Sequence, residues 1–233
     1  MRRSTVDVYE PAPSRALPWP VEVIEGALAP LILPERLARF DEIARRRITS
    51  VAVVLEAVID PHNTAAVLRT TDALGLGEVH FIDLGVKPLI APRITRNSER
   101  WLDLYVHHQT RACTDALGAR GFEVYVADAR ASATLDEIAH RPKVALVFGN
   151  EHEGASAEVR EAATGTFAIP MRGMVESYNV SVAAGIALYT VTKDRPGDLE
   201  PGEARALRAR FLMESVRNYE MVIERYLRDE ARA

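Results

Sequence analysis

Apolar residues recur along this chain in two rhythms. Residues 51–58 (VAVVLEAV), 78–83 (EVHFID), 122–127 (FEVYVA) and 143–149 (KVALVFG) are short, mostly apolar runs closed by turn residues. Runs of that length predict strands buried on both faces, as in a parallel sheet. Residues 104–106 and 166–169 add two shorter strands. Between these runs the apolar positions return at helical spacing. A helix is predicted from Pro34 to about residue 47, with Pro at its first turn and Leu37, Phe40 and Ile43 as its stripe. A second runs from Asn63, read as its N-cap, to Gly75 at the C′ position. Helical stretches follow at 109–120, 135–139 and 158–163, then a long, nearly unbroken apolar one reaching residue 191. Arg195, Pro196 and Gly197 break it, and residues 203–228 predict one more amphipathic helix. Prolines at 11, 13, 18, 20 and 30 predict an extended arm over residues 1–32, packed through Trp19.

Strands alternating with helices argue for an α/β fold, a mostly parallel sheet with helices on both faces. The expected division is an arm at 1–32, a catalytic domain at 33–195 and a helical extension at 196–233. In such sheets ligands bind beyond the carboxyl ends of the strands. The polar clusters fall there: Asp60 to Asn63, Asn150 to Gly154, and Met171 to Asn179. The last leads into the apolar helix, with Ser177, Asn179 and Ser181 at alternate positions. Polar side chains entering a buried helix need partners, so a ligand-holding loop anchored by a helix is expected.

Composition narrows the field. Hydrophobic residues make up 48% and charged ones 27%, ordinary for a globular chain that can bury a sizeable core. No run is long enough to span a bilayer, and the N-terminus lacks the apolar core of a secretory signal. A cytoplasmic protein is the expectation. Cys113 is the single cysteine, so there is no internal disulfide and no multi-thiolate metal site. The net charge of −4 gives no global basic signal. Local arginine clusters remain at 36–47 and 205–228, suited to phosphate contacts.

Several chemistries drop out. Phe148 to Gly154 lacks the Lys-Ser/Thr that completes a phosphate loop, and no GxGxxG or GxSxG occurs. His107 and His108 are adjacent on a strand, point to opposite faces, and have no third ligand near in sequence, so no metal is expected.

Three motifs taken together resemble the SpoU branch of the SPOUT RNA methyltransferases, most closely the TrmH type. Asn63 and Arg69 within PHNTAAVLRTTDALG match the first motif. Gly149, Glu151 and Gly154 within LVFGNEHEGAS match the second. Pro170, Met171, Ser177, Asn179 and Ser181 within IPMRGMVESYNVSVAAGIAL match the third. The likeness runs from about residue 34 to 193. It implies a C-terminal trefoil knot that binds S-adenosylmethionine, with Ala127, Gly149, Ile169, Met171, Tyr178 and Asn179 lining the site. It implies Asn63, Arg69, Glu151, Asn179 and Ser181 as catalytic residues, and Arg39, Arg46, Arg47, Arg93 and Arg96 as RNA contacts. It further implies a homodimer that methylates a ribose 2′-hydroxyl, at guanosine 18 of the tRNA D-loop. The alternatives are a ribosomal RNA target or a catalytically silent RNA-binding module.

Overall fold

The computed structural model describes residues 16–85 and 98–232. These divide into two compact units, 48–195 and a helical unit built from 16–47 and 196–232.

The first unit holds six parallel strands: β1 (Val51–Glu56), β2 (Glu78–Ile82), β3 (Asp103–His107), β4 (Glu123–Ala127), β5 (Val144–Phe148) and β6 (Gly165–Phe167). Their order in the sheet is β3-β2-β1-β5-β4-β6. β1 and β5 lie at the centre, with Val53 beside Leu146 and Leu55 beside Phe148. Every residue of both is buried, as continuous apolar runs require. The helices are α3 (Pro61–Ala73), α4 (Thr110–Ala119), α5 (Leu135–Ala139), α6 (Ala157–Ala162) and α7 (Val180–Thr192). They cover both faces. Val67 and Leu68 of α3 join Ala184, Leu188 and Val191 of α7 in one apolar cluster. Cys113 and Leu117 of α4 join Val159 of α6 in a second.

The strands match the predicted runs to within two residues at either end. Gly75 follows α3 with φ 79°, the left-handed conformation its C′ position needs. Asn63 is not the N-cap of α3. Asp60 holds that position, its carboxylate accepting from the His62 amide at 2.8 Å, and Pro61 starts the helix. A proline is favoured at the first helical position, so the cap moves one residue before it. That leaves Asn63 one turn inside, its side chain free for other contacts.

The second unit contains α1 (Val21–Leu28), α2 (Pro34–Arg46), α8 (Pro201–Ser215) and α9 (Tyr219–Glu230). The expected arm is therefore partly helical. Pro20 and Pro30 bracket a proline-free window, and α1 occupies it. Trp19 packs edge-on against Tyr219, ring centroids 6.3 Å apart. The helix expected with the catalytic domain, α2, groups with the terminal helices, because its buried Phe40 packs against Phe211, ring centroids 5.5 Å apart at a tilt of 52°. The expected single tail helix is two. Asn218 adopts a left-handed φ of 54° after Val216 turns extended, which ends one helix and starts the next. Arg205 and Arg208 pair with Glu22, Glu25 and Asp41 at 2.6–3.0 Å, so these arginines join the helices of the unit to one another.

Candidate active site

The carboxyl ends of β4, β5 and β6 open on a cavity of about 900 Å³. Ala127, Gly149, Ile169, Met171, Tyr178 and Asn179 all line it, so three separated sequence blocks meet around one space. The loop after β5 is held open by the backbone. Asn150 and Gly154 exchange N–H···O bonds at 3.0 and 2.9 Å. The Asn150 side chain accepts from the amides of His152 and Glu153 and donates to the Ala57 carbonyl at 2.9 Å. A Cβ at position 149 would collide with the backbone of Gly154 and Ala155, so only glycine fits there. Buried Glu56, at the end of β1, accepts from the Ser156 amide at 2.8 Å and its hydroxyl at 2.6 Å, which ties this loop to the centre of the sheet.

At the rim a chain of hydrogen bonds links all three motifs. Asn179 donates from Nδ2 to Asn63 Oδ1 at 3.0 Å, and Asn63 donates from Nδ2 to Glu151 Oε1 at 3.0 Å. Glu151 also accepts from the amides of Ile59 and Asp60, both at 3.1 Å. Burial pushes its carboxyl pKa up. The hydrogen bonds from Asn63 and the two amides more than offset that, so Glu151 lies below its ordinary value. Asn179 Oδ1 caps α7, accepting from the Ser181 amide at 2.9 Å and hydroxyl at 2.6 Å. Asn63, Glu151, Asn179 and Ser181 are thus one connected group.

Arg69 is not in it. It lies on an exposed face of α3 and lines a separate cavity of about 550 Å³ with Thr70, Asp72, Ser98 and Trp101. Six residues along a helix amount to 600°, which turns Arg69 away from Asn63. Of the expected RNA contacts, Arg39 and Arg46 are exposed, Arg46 pairing with Glu42 at 3.1 Å. Arg47 corrects the expectation. It is 2% exposed, its guanidinium 5.9 Å from the Phe211 ring, so it is packing rather than a free cation. Arg93 and Arg96 lie outside the described residues. Glu56 was not expected at the site, and Asp60 and Asn150 were expected there only as members of polar clusters. Their roles are to hold loop backbone, which residue spacing does not announce.

A parallel α/β sheet with a polar-rimmed cavity at its carboxyl ends is the architecture of a ligand-binding enzyme domain. Known proteins sharpen that. The SpoU rRNA Methylase family matches residues 50–189, and the chain belongs to it. A tRNA (guanosine(18)-2′-O)-methyltransferase of Borreliella burgdorferi is 30% identical over 84% of this chain and 93% of its own. One from Thermus thermophilus is 38% identical over 69% of this chain and 83% of its own. The crystal structure of an A. aeolicus TrmH/SpoU tRNA modifying enzyme superposes with a TM-score of 0.72 at 30% identity, covering 79% of this chain and 98% of that one. The protein is a methyltransferase of this family.

Proposed function

We propose that the protein transfers a methyl group from S-adenosylmethionine to the ribose 2′-hydroxyl of guanosine 18 in the D-loop of tRNA. The observation that carries this is the cavity where the second and third motifs meet, with the Asn179–Asn63–Glu151 chain at its rim. The names of the Borreliella and Thermus relatives support the target. The cavity suits the cofactor: it mixes apolar wall, from Phe148, Phe167 and Ala183, with the polar Asp128, Asn150 and Ser177.

When bound, S-adenosylmethionine supplies an electrophilic methyl on its sulfonium. The residues of this chain contribute position. Asn179 fixes the start of α7 and hands its amide to Asn63, which is held in turn by an ionised Glu151. That rigid rim orients the ribose, and orientation is worth orders of magnitude in a displacement reaction. A guanidinium offers donors and no acceptor, so the role open to Arg69 is binding rather than proton removal. Its exposed position on α3 suits a clamp on an RNA phosphate, outside the hydrogen-bonded rim. Arg69→Lys is expected to lower turnover about a hundredfold, because a point charge cannot reproduce the planar fork. Near-full turnover in that variant rules out the clamp.

The same reading includes a trefoil knot in the segment ending with α7, and a homodimer formed through α7. Val182, Ile186 and Tyr189 stand exposed along one side of that helix, next to Gly185 with open space at its α-carbon. A cytoplasmic location goes with a tRNA substrate, and among the described residues no helix is long and apolar enough to cross a membrane.

The decisive experiment maps ribose methylation by mass spectrometry in tRNA and rRNA from cells with and without the gene. Loss of the mark at tRNA guanosine 18 is expected. Loss of a 23S rRNA mark with tRNA unchanged overturns the target and favours the ribosomal role that the family description names. No lost mark, together with no binding of S-adenosylmethionine by calorimetry, leaves a silent RNA-binding module.

A further inference from the structure

On the α4 side of the sheet, away from the cavity residues, β2 and β3 carry a seam of buried polar groups. Their parallel register sets His80 beside Tyr105 and Ile82 beside His107. The His80 ring stacks between the two, 4.7 Å from Tyr105 and 5.3 Å from His107. His80 Nδ1 faces His107 Nε2 at 3.0 Å. Cys113 of α4, fully buried, closes the third side, and one ligand atom from each of His80, His107 and Cys113 lies within 4.8 Å of the others.

Two further observations point to a ligand here. His80 is 2% exposed, yet its Nε2 has no hydrogen-bond partner, which is costly for a buried polar atom. A Glu78 carboxylate oxygen stands 3.8 Å from that atom, too far for a hydrogen bond. Glu78 is itself buried and gripped by Arg120, whose Nη2 donates to both its oxygens at 3.0 Å. A ring nitrogen facing other ligands, with the opposite ring nitrogen aimed at a fixed carboxylate, is the arrangement that orients metal-binding histidines.

We infer that His80, His107 and Cys113 form a binding site for a thiophilic divalent metal ion, zinc in the cell, that staples β2 and β3 to α4. Two imidazoles and a thiolate suit zinc. Ligand atoms around tetrahedral zinc sit about 3.3–3.7 Å apart, given bonds of about 2.0–2.3 Å. An inward movement of about 1 Å by the α4 thiol side meets that requirement. In the bound form His80 binds through Nδ1 and its Nε2 proton closes the 3.8 Å gap to Glu78 into a hydrogen bond, which gives the orphaned atom its partner, while His107 carries its own proton on Nδ1. The thiol proton of Cys113 leaves to solvent as the sulfur–metal bond forms. Water takes the fourth position, reached past the half-exposed His107. His108, whose Nδ1 pairs with Asp83 Oδ2 at 2.7 Å, takes no part.

The inference does not rest on the methyl-transfer reading, and its test reads metal alone. The full chain, freed of metal by a chelator and dialysed, is titrated with cobalt(II). A thiolate-to-cobalt charge-transfer band with tetrahedral visible bands is expected, saturating at one ion per chain and bleached by added zinc. Zinc raises the melting temperature of the wild type. Cys113→Ser and His107→Gln bind at least about a hundredfold more weakly and lose the melting shift, whereas His108→Ala behaves as wild type. Should Cys113→Ser not fold, the half-exposed His107→Gln decides alone. A wild type with no charge-transfer band overturns the site, as does binding that survives His107→Gln.

Discussion

Asn179 serves two neighbours with two different atoms. Its Oδ1 caps α7 and its Nδ2 donates to Asn63, so aspartate and alanine separate the roles. Asn179→Asp keeps an acceptor for the cap and loses only the donor. It is expected to melt like the wild type with turnover down about a hundredfold, since a lost positioning contact costs that much. Asn179→Ala loses the cap as well, about 1 kcal/mol of stability. Equal melting curves for the two, checked by calorimetry, would refute the capping role. Glu151 makes a pH prediction. Its folded-state pKa is depressed below 4.5, so its contribution is fully present above that value and disappears as pH falls through the folded pKa. The wild type is therefore expected to lose stability on acidification below about pH 4.5 more steeply than Glu151→Gln, measured by denaturant melts across that range.

Elements rather than single residues carry the loop after β5. Its far end hangs on Glu56 of β1, a strand more than ninety residues earlier. Removing that carboxylate leaves the Ser156 amide and hydroxyl without their acceptor. Glu56→Ala is expected to cost about 2–3 kcal/mol and to weaken S-adenosylmethionine binding, read by thermal melts and calorimetry. Unchanged binding would mean the loop holds its shape without β1. This contact also marks what the sequence could reveal. The strands were legible, because full burial demands continuous apolar runs and β1 and β5 have them. So were the meeting of Asn63, Glu151 and Asn179, which rested on matched motifs, and the left-handed Gly75. Glu56 was hidden: one acid at the end of an apolar strand looks like the strand's edge. The N-cap of α3 was misread because two capping residues flank Pro61, and only the proline rule separates them. The helix in residues 21–28 was masked by prolines that bracket it rather than interrupt it. The break at Asn218 had no proline or glycine to announce it.

At the scale of the whole molecule, the exposed row Val182, Ile186 and Tyr189 on α7 is the proposed meeting surface of two copies. Val182→Glu puts a charge on that row without touching the cavity. It is expected to convert a dimer to a monomer in sedimentation runs, with methyl transfer reduced alongside. A variant that sediments as the wild type excludes α7 as the interface. The helical unit has a consequence of another kind. Its α1 and α2 are synthesised before the first strand, and their partners α8 and α9 after the last. A ribosome releases the chain in order, so Ile24, Leu28 and Phe40 emerge 171 to 199 residues ahead of Phe211 and Ile223. The central pair repeats the delay on a smaller scale, β1 waiting for β5. Throughout translation the nascent chain must carry sticky, unmatched helices at its leading end, which makes it a natural client for chaperones that act at the tunnel exit.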